Sequence, residues 1–586
     1  MPQRFLVVAV DYDGTIAQED RADQAALDAI AALRSHGRKV LLCTGRMLEE
    51  LRTVFPDVDR HFDAIVAENG GVIVMSSEVS YLEEPLPAEL AAALDHAQIP
   101  YRTGHVLLAT DAVFDVVVLR EIERLGLEAQ LVYNRGALMV LPAGVSKGAG
   151  LIHALGRLEL SRHSTIAIGD AENDHSLLHS CEIGVAVANA VPGLRIHADV
   201  CLDEPNGAGV AAFLRGPVLR DEVEIHPGRW HVELGRSADD EPARLPGSRI
   251  NVLIAGASCS GKSHLAGLFI ERLVALDYTV CVLDAEGDHA TLDRLPGVIT
   301  VGGTEPLPPA ARLAGLVRNR FSSVVADLSL LEPAQKREFC HTALAALHEL
   351  RLDRGFPHWI VIEEADQLLA GGELPVEPGA RPPVGYCFIT HRPASLNAQV
   401  LSTLDAVVAL PGAERYARIP FLEPDAAAEA EPFLLQTGEA LLAAGGRLLR
   451  FETAPRALPH VRHQHKYMYA QVPAERRFFF GSAGGHGAAA GNVAEFGCEI
   501  GRAPGDVLRA HLLAGDFSRW THDVLADDEL GGRLRGVERW FRTDPDADPE
   551  AARTAVMSAI RDRYSDPAEV IRLSDAAAPP SERSAT

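Results

Sequence analysis

Residues 5–15 read FLVVAVDYDGT, an apolar, β-branched run that ends in an acid, a second acid two positions on and a glycine. From Ala25 to His36 the apolar positions recur at helical spacing, and residues 39–45, KVLLCTG, form a second apolar run. The order is strand, helix, strand. The pattern returns in DAIVAENGGVIVM (63–75) and STIAIGD (164–170), each bounded by Gly or Asp. A parallel α/β sheet is therefore expected up to about Leu214. Between Leu86 and Leu141 the texture changes: short runs (HVLLAT, EAQLVYN, ALMVLP) flank the periodic stretch FDVVVLREIERLG, which predicts a small α+β unit inserted into the sheet. Residues 216–248 carry Pro, Gly and mixed charge, as a linker or short hairpin does. A second α/β series follows over 249–455, with runs RINVLIAG, YTVCVLD, SVVADLS, HWIVIEE, YCFIT and AVVAL. Residues 456–570 change composition again and read as a mostly helical module. The last stretch, 571–586, is expected to be a disordered tail.

The chain has 586 residues, enough for about three to five domains. Its 55 Lys and Arg against 81 Asp and Glu give a net charge of −26, which argues against a general grip on nucleic acid or an anionic membrane. The 8 cysteines form no CxxC pair, so neither a disulfide framework nor a thiolate zinc site is indicated. The start lacks a secretory pattern and no run of about 18 uncharged apolar residues occurs, so a cytoplasmic protein is expected.

Asp11 and Asp13 stand at the end of the first strand, where loops of a parallel sheet converge. One carboxylate can attack an electrophile while the other moves protons; an isolated Asp-x-Asp would more often be an Asx-turn. Here Thr44 ends the second strand, Lys147 precedes a helix in GVSKGAGL, and Asp170 and Asp174 follow another strand in AIGDAENDHSLL. A nucleophile, a hydroxyl and an ammonium for phosphate oxygens, and carboxylates for Mg²⁺ are the parts of phosphoryl transfer.

In this order DYDGT, TGR, SK and GDAEND resemble the haloacid dehalogenase-like phosphatases, in the branch with a large α+β cap that holds Cof-type, sucrose-phosphatase and phosphoglycolate-phosphatase relatives. The resemblance covers residues 1–215, with the cap at about 86–141, and implies a Rossmann-like core. It further implies that Asp11 is the nucleophile, that Asp13 is the acid and base, that Thr44 and Lys147 steady the phosphoryl group, and that Asp170, with Asp11 and the Asp13 carbonyl, binds Mg²⁺. Asp174, and Asn173 beside it, would support the metal. Asn69, Asn134 and Arg135 are candidates to touch substrate. A cap of this size favours a small phosphorylated metabolite, such as a sugar phosphate or phosphoglycolate.

In NVLIAGASCSGKSHL, Gly256 is followed after four residues by Gly261, Lys262 and Ser263, between an apolar strand and an amphipathic helix. That is the setting of a phosphate-binding P-loop, with Lys262 on the β/γ oxygens and Ser263 on Mg²⁺. Glu363 and Glu364 end the apolar run HWIVIEE and are candidate ATPase acids. With VCVLDAEGDH, VVADLS and FITHRPASL, residues 249–415 resemble the HerA/FtsK-like ATPases, which implies ATP at this loop, a γ-phosphate sensor at Thr390 and an inter-subunit arginine at Arg392 or Arg415. Glu363 stands where that family usually has Asp, so binding of ATP is the firmer expectation than hydrolysis.

In the last module, His460, His463, His465, Lys466, Arg476 and Arg477 alternate with Tyr467 and Tyr469, which reads as a half-buried strand before it reads as a nucleic-acid surface. Trp520 and Trp540 are expected in a helical core. The leading expectation is a Mg²⁺-dependent phosphatase fused to an ATP-binding domain of regulatory or ATPase role, with a homo-oligomer open. The alternative is a nucleic-acid end-processing or translocating ATPase with an accessory phosphatase.

Overall fold

The computed structural model describes residues 5–257, 260–303, 305–318, 322–370, 374, 383–418, 434–458, 468, 472, 476–481, 488–525, 527–544 and 547–564. Its first sheet is built from β1 (Val7–Val10), β2 (Lys39–Cys43), β3 (Ala64–Ala67), β4 (Val72–Met75) and β5 (Glu78–Tyr81), joined after an excursion by strands between Thr165 and Cys201. All four residues of β1 are wholly buried, as are Val40 to Cys43. Burial on both faces explains why these runs carry no polar alternation. The excursion holds β6 (Arg102–Thr103), β7 (Leu108–Asp111), α1 (Asp115–Leu125), β8 (Ala129–Asn134) and β9 (Ala137–Pro142), whose strands form an antiparallel sheet in the order β8-β9-β7-β6. Its own apolar core includes Leu90, Leu94, Val118, Leu138 and Val140.

The chain returns through α2 (Lys147–Leu158) to β10 (Thr165–Gly169), β11 (Ile183–Ala186) and β12 (Val200–Cys201). The first sheet runs β12-β11-β10-β1-β2-β3-β4-β5, and its members from β12 to β3 are parallel. The sheet is mixed rather than wholly parallel. β4 returns antiparallel to β3 because Glu68–Gly70 is a tight turn with Glu68, Asn69 and Gly70 all at positive φ, too short for a crossover helix.

Residues 216–248 contain more than a linker. β13 (His231–Arg236) and β14 (Pro242–Pro246) pair antiparallel and add to the edge of the second sheet. That sheet continues through β15 (Val252–Ala255), β16 (Val280–Asp284), β17 (Val298–Gly302), β18 (Ser323–Asp327), β19 (Trp359–Ile362), β20 (Tyr386–Thr390), β21 (Ala406–Ala409), β22 (Glu439–Ala444) and β23 (Arg447–Thr453). Eleven strands lie in the order β14-β13-β23-β22-β21-β15-β20-β19-β16-β18-β17, the seven from β21 onward parallel. Helix α3 (Lys262–Ala275) follows β15 directly.

The C-terminal residues form α4 (Val493–Arg502), α5 (Gly505–Ala514), α6 (Asp516–Asp523), α7 (Asp528–Thr543) and α8 (Pro549–Tyr564). Phe478, Phe496, Phe517 and Trp520 make their core. Trp540 departs from expectation: it is 39% exposed, because the buried side of α7 is carried by Leu530, Leu534, Glu538 and Phe541. His460, His463, His465, Lys466, Tyr467, Tyr469 and the tail 571–586 lie outside the described residues. Among the described residues no helix is long and apolar enough to cross a membrane.

Candidate active site

Register brings the first site together. Val10 lies beside Ile168 of β10 and Leu42 of β2, so the residues that follow each strand emerge at one edge of the sheet. Asp11 follows β1, Thr44 follows β2 and Asp170 follows β10. Lys147 is the first residue of α2, which Ser146 caps by accepting from the Ala149 N–H at 3.1 Å. Gly70 lets the neighbouring turn pass that helix start: a Cβ there would lie 1.9 Å from the Ser146 carbonyl oxygen, and φ is +107°.

Lys147 Nζ donates to Asp11 Oδ1 at 2.6 Å and to Asp174 Oδ1 at 2.7 Å, and Lys147 is only 1% exposed. The other Asp174 oxygen accepts the N–H groups of Asp170 and Ala171 at 2.9 and 3.0 Å, which fixes the loop after β10. Thr15 Oγ1 lies 3.3 Å from Asp11 Oδ2 and 3.2 Å from Asp170 Oδ1. Burial, with the neighbouring Asp174 charge, holds the Asp11 carboxyl well above its ordinary range, against the opposing pull of Lys147. Burial and Asp174 likewise push Asp170 up to about 6. For Lys147, burial alone would lower the pKa, but Asp11 and Asp174 together raise it, so the ammonium form is secure.

Asp13 stands apart from this cluster. Its carboxylate is gripped by Arg46, Nε to Oδ2 at 2.7 Å and Nη2 to Oδ1 at 2.6 Å, and the same guanidinium reaches Asp20. Thr44 is buried and its hydroxyl oxygen accepts from the Arg46 N–H at 3.1 Å. Arg135, from the turn between β8 and β9, pairs with Asp170. Asn173 donates to Asn69 Oδ1 at 3.0 Å, while its own Oδ1 is buried without a protein partner, as is Asn134 Oδ1.

Carboxylate oxygens of Asp11, Asp170 and Asp174 lie within 4.8 Å of one another. Around them five carboxylates (Asp11, Asp13, Asp20, Asp170, Asp174) face three cations (Arg46, Arg135, Lys147). Two uncompensated charges, hard oxygen donors and a raised Asp11 suit a divalent cation such as Mg²⁺, which would reverse the upward push on the acids.

Three residues escaped the reading of the sequence as site members: Thr15, Arg46 and Glu68. Thr15 and Arg46 are visible in DYDGT and TGR as motif letters without a role. Glu68 is wholly buried and accepts the N–H groups of His105, Val106 and Leu107 at 2.9, 2.8 and 3.2 Å, tying the inserted unit to the first sheet. No local signal marks it, because its partners are 37 to 39 residues away.

The second constellation lies at the end of β15. Gly261 caps α3 at φ +100°, and a Cβ on Gly256 would meet Ser260 Oγ at 2.2 Å. Lys262 Nζ donates to the Ala257 carbonyl at 3.0 Å. Ser263 Oγ donates to Asp288 Oδ2 at 2.8 Å and lies 3.1 Å from Glu363 Oε1, and the other Glu363 oxygen is 3.1 Å from His289 Nε2. Burial opposes protonation of His289, yet Glu363 and Asp284 together raise its pKa to about 9. Asp284, buried, is pushed up to about 7. Glu364 turns elsewhere, to His391 Nδ1 at 2.9 Å, and Thr390 donates to Asp366 at 2.6 Å. Arg415 is exposed and bonds the Tyr416 hydroxyl, and Arg392 opens a short turn after β20.

Residues 8–114 and 122–214 match the family model of haloacid dehalogenase-like hydrolases. The chain is similar to phosphoglycolate phosphatase 2 of Saccharolobus solfataricus, 31% identical over 220 residues, or 36% of this chain and 91% of that protein. It is also similar to the phosphoglycolate phosphatases of Sulfurisphaera tokodaii, 30% identical over 37% of this chain and 95% of that one, and of Methanothermobacter thermautotrophicus, 32% identical over 36% and 96%. Through these residues, which bring Asp11, Lys147, Asp170 and Asp174 to one edge of the first sheet, the chain belongs to the haloacid dehalogenase-like hydrolases.

Proposed function

We propose that residues 1–215 hydrolyse a small phosphomonoester, of the sugar phosphate or phosphoglycolate type, through a phosphoryl group carried on Asp11. The observation that supports this most is the buried Lys147, bridging Asp11 and Asp174 at 2.6 and 2.7 Å. It holds the Asp11 carboxylate in one orientation and presents a cation to the phosphoryl oxygens. Thr44 stands ready with a buried hydroxyl. Asp13, 44% exposed at its side chain, sits at the mouth, where a leaving group needs a proton. In this reading Asp11 attacks phosphorus, the ester oxygen leaves with the proton of Asp13, and Asp13 then takes a proton from the water that attacks the aspartyl phosphate. Mg²⁺, held by Asp11, Asp170 and Asp174 with the Asp13 carbonyl, would neutralise charge on the phosphoryl oxygens. The unit at about 86–141 serves as the cap that excludes water.

The experiment is hydrolysis of 2-phosphoglycolate, sugar phosphates and an aryl phosphate with Mg²⁺, by wild type and Asp11→Asn. Turnover that falls at least about a thousandfold in the variant is expected; equal turnover removes Asp11 as nucleophile.

The second half of the proposal is an ATP-binding unit over 249–455, with phosphates on Gly256, Gly261 and Lys262, Mg²⁺ on Ser263, and Glu363 and Glu364 as its acids. It is supported by the approach of Ser263 to Glu363 at 3.1 Å across the parallel sheet. Lys262→Ala should abolish binding of a fluorescent ATP analogue, and retained binding would refute the assignment. Residues 216–230 lead from the first unit to β13 and β14, which belong to the second sheet, and the described C-terminal helices have a core of their own.

A further inference from the structure

The described residues hold a second group of metal donors, outside the first site. Glu364, Asp366 and His391 each bring one donor atom to a place where all three lie within 4.8 Å of one another. Glu364 comes two residues after β19, Asp366 stands in the single helical turn Ala365–Leu368, and His391 follows β20. β19 and β20 are adjacent and parallel, with Ile362 beside Phe388. The residues after them therefore emerge together at the carboxyl edge of the second sheet, where ligands of such sheets bind.

The donors are held in place by different means. Glu364 has a left-handed backbone, φ +47° and ψ +51°, which a glutamate disfavours. In that conformation its Oε2 lies 2.9 Å from His391 Nδ1, while Glu363 is the acid that approaches Ser263. Asp366 accepts from the wholly buried Thr390 hydroxyl at 2.6 Å, and the hydroxyl oxygen in turn accepts the Arg392 N–H at 2.9 Å. Metal ligands are oriented by outer partners of this kind. Burial, with the like charges of Glu286 and Glu363, holds the Glu364 carboxyl above its ordinary range, against the opposing pull of His391 and Lys262. The Glu364 side chain is 10% exposed and that of His391 29%, so the group is shielded from bulk water yet open to an ion. A hydrogen bond between Glu364 and His391 explains their approach. It does not explain why a second carboxylate, Asp366, is brought to the same pair, since two acids side by side repel unless a cation lies between them.

We propose that Glu364, Asp366 and His391 form a binding site for a divalent transition cation of the zinc or manganese kind. A nitrogen donor beside two carboxylates suits such ions, whereas magnesium and calcium prefer oxygen throughout. Three protein donors leave further positions on the ion for water or a ligand. The assignment goes beyond the ATP-binding reading and does not rest on it, because Lys262, Ser263 and Glu363 are not among the donors.

The test uses the full chain, stripped with chelator, as wild type, His391→Ala, Asp366→Asn and Thr390→Val. Each is titrated calorimetrically with Zn²⁺, and each is loaded with Mn²⁺ for electron spin-echo spectroscopy, which detects nitrogen bound to the ion. The Asp11, Asp170 and Asp174 group offers oxygen alone, so the nitrogen signal separates the two sites. One zinc-binding event should be lost in His391→Ala and in Asp366→Asn, and Thr390→Val, which keeps all three donors, should weaken it about tenfold. Nitrogen coupling should be present in wild type and absent from His391→Ala. Equal zinc stoichiometry and affinity in wild type and both ligand variants overturns the proposal, as does a wild type without nitrogen coupling or a coupling that persists in His391→Ala. Should His391→Ala fail to fold, His391→Gln takes its place, because the amide keeps the size and is a poor zinc ligand. Wild type that binds zinc here but takes up no ATP analogue would refute the ATP-binding reading alone.

Discussion

Thr15 offers one hydroxyl to two carboxylates, Asp11 at 3.3 Å and Asp170 at 3.2 Å, and so links the candidate nucleophile to the neighbouring strand end. Thr15→Val keeps the shape and removes that link. A fall in kcat of about tenfold is expected, the worth of one hydrogen bond to a charged group, with thermal stability changed little. Steady-state kinetics beside a melting curve checks this, and a loss of stability with unchanged kcat would make Thr15 a packing residue. At this scale the sequence was partly legible. Asp11, Lys147, Asp170 and Asp174 meet because each closes a strand or opens a helix, positions that an apolar run followed by an acid makes visible. The partners of Asp13 and Asp170 were not, since Arg46 and Arg135 reach them across 33 and 35 residues on long side chains. No spacing rule encodes such a reach.

The parallel strands of both sheets were legible as elements because a strand buried on both faces has no alternation to obscure it. Less legible was whatever depended on pairing: the reversal at β4, and the capture of β13 and β14 by an edge of the second sheet, follow from long-range partners. The turn at 68–70 shows the cost of disturbing such a place. Gly70→Ala would drive a Cβ to within 1.9 Å of the Ser146 carbonyl at a backbone angle that alanine disfavours. A loss of roughly 3 kcal/mol or more is expected, with kcat falling too because the start of α2 carries Lys147. Denaturant titration and kinetics measure the two effects, and wild-type values for both would show that the turn relaxes freely. Glu68→Gln addresses the same joint from the other side. One amide oxygen cannot serve three N–H groups as a carboxylate does, so about 2 kcal/mol is expected to be lost, read by the melting temperature. Hydrogen exchange should quicken at His105 to Leu107 in particular.

Across the whole molecule, the two α/β units meet at a buried carboxylate. Glu182 accepts from Tyr278 at 3.0 Å, Ser248 at 2.6 Å and Arg249 at 3.2 Å, and lies 2.7 Å from His163 Nδ1. The His163 ring stacks on Tyr278 at 3.7 Å, its Nε2 faces the Leu276 carbonyl at 2.9 Å, and Ser161 meets His358 at 2.8 Å. Burial alone would raise the Glu182 pKa, but the His163 hydrogen bond and the Arg249 charge bring it down to about 2. A folded value below the unfolded one stabilises above the unfolded value, near 4.5, and the contribution fades as pH falls through the folded value. The shift corresponds to about 3 kcal/mol. Melting temperature should therefore drop more steeply between about pH 4.5 and 2 in wild type than in Glu182→Gln. Parallel curves would mean that the seam is held by its apolar contacts instead.

The same seam has a consequence for how the chain is made. Synthesis proceeds from the first unit, and Glu182 leaves the ribosome before Ser248, Arg249 and Tyr278 exist. At about 5–20 residues per second, the roughly hundred residues to Tyr278 take on the order of 5 to 20 seconds. Through that interval the nascent first unit displays on the surface that will become its joint an acid matched by His163 but by none of its partners in the second unit. Ribosome-bound chains stalled before Tyr278 has emerged should be cut readily by protease near His163 and Glu182, and chains stalled well beyond it should resist. Equal resistance at both lengths would show that the first unit closes that face unaided, and that the second is added to a finished body.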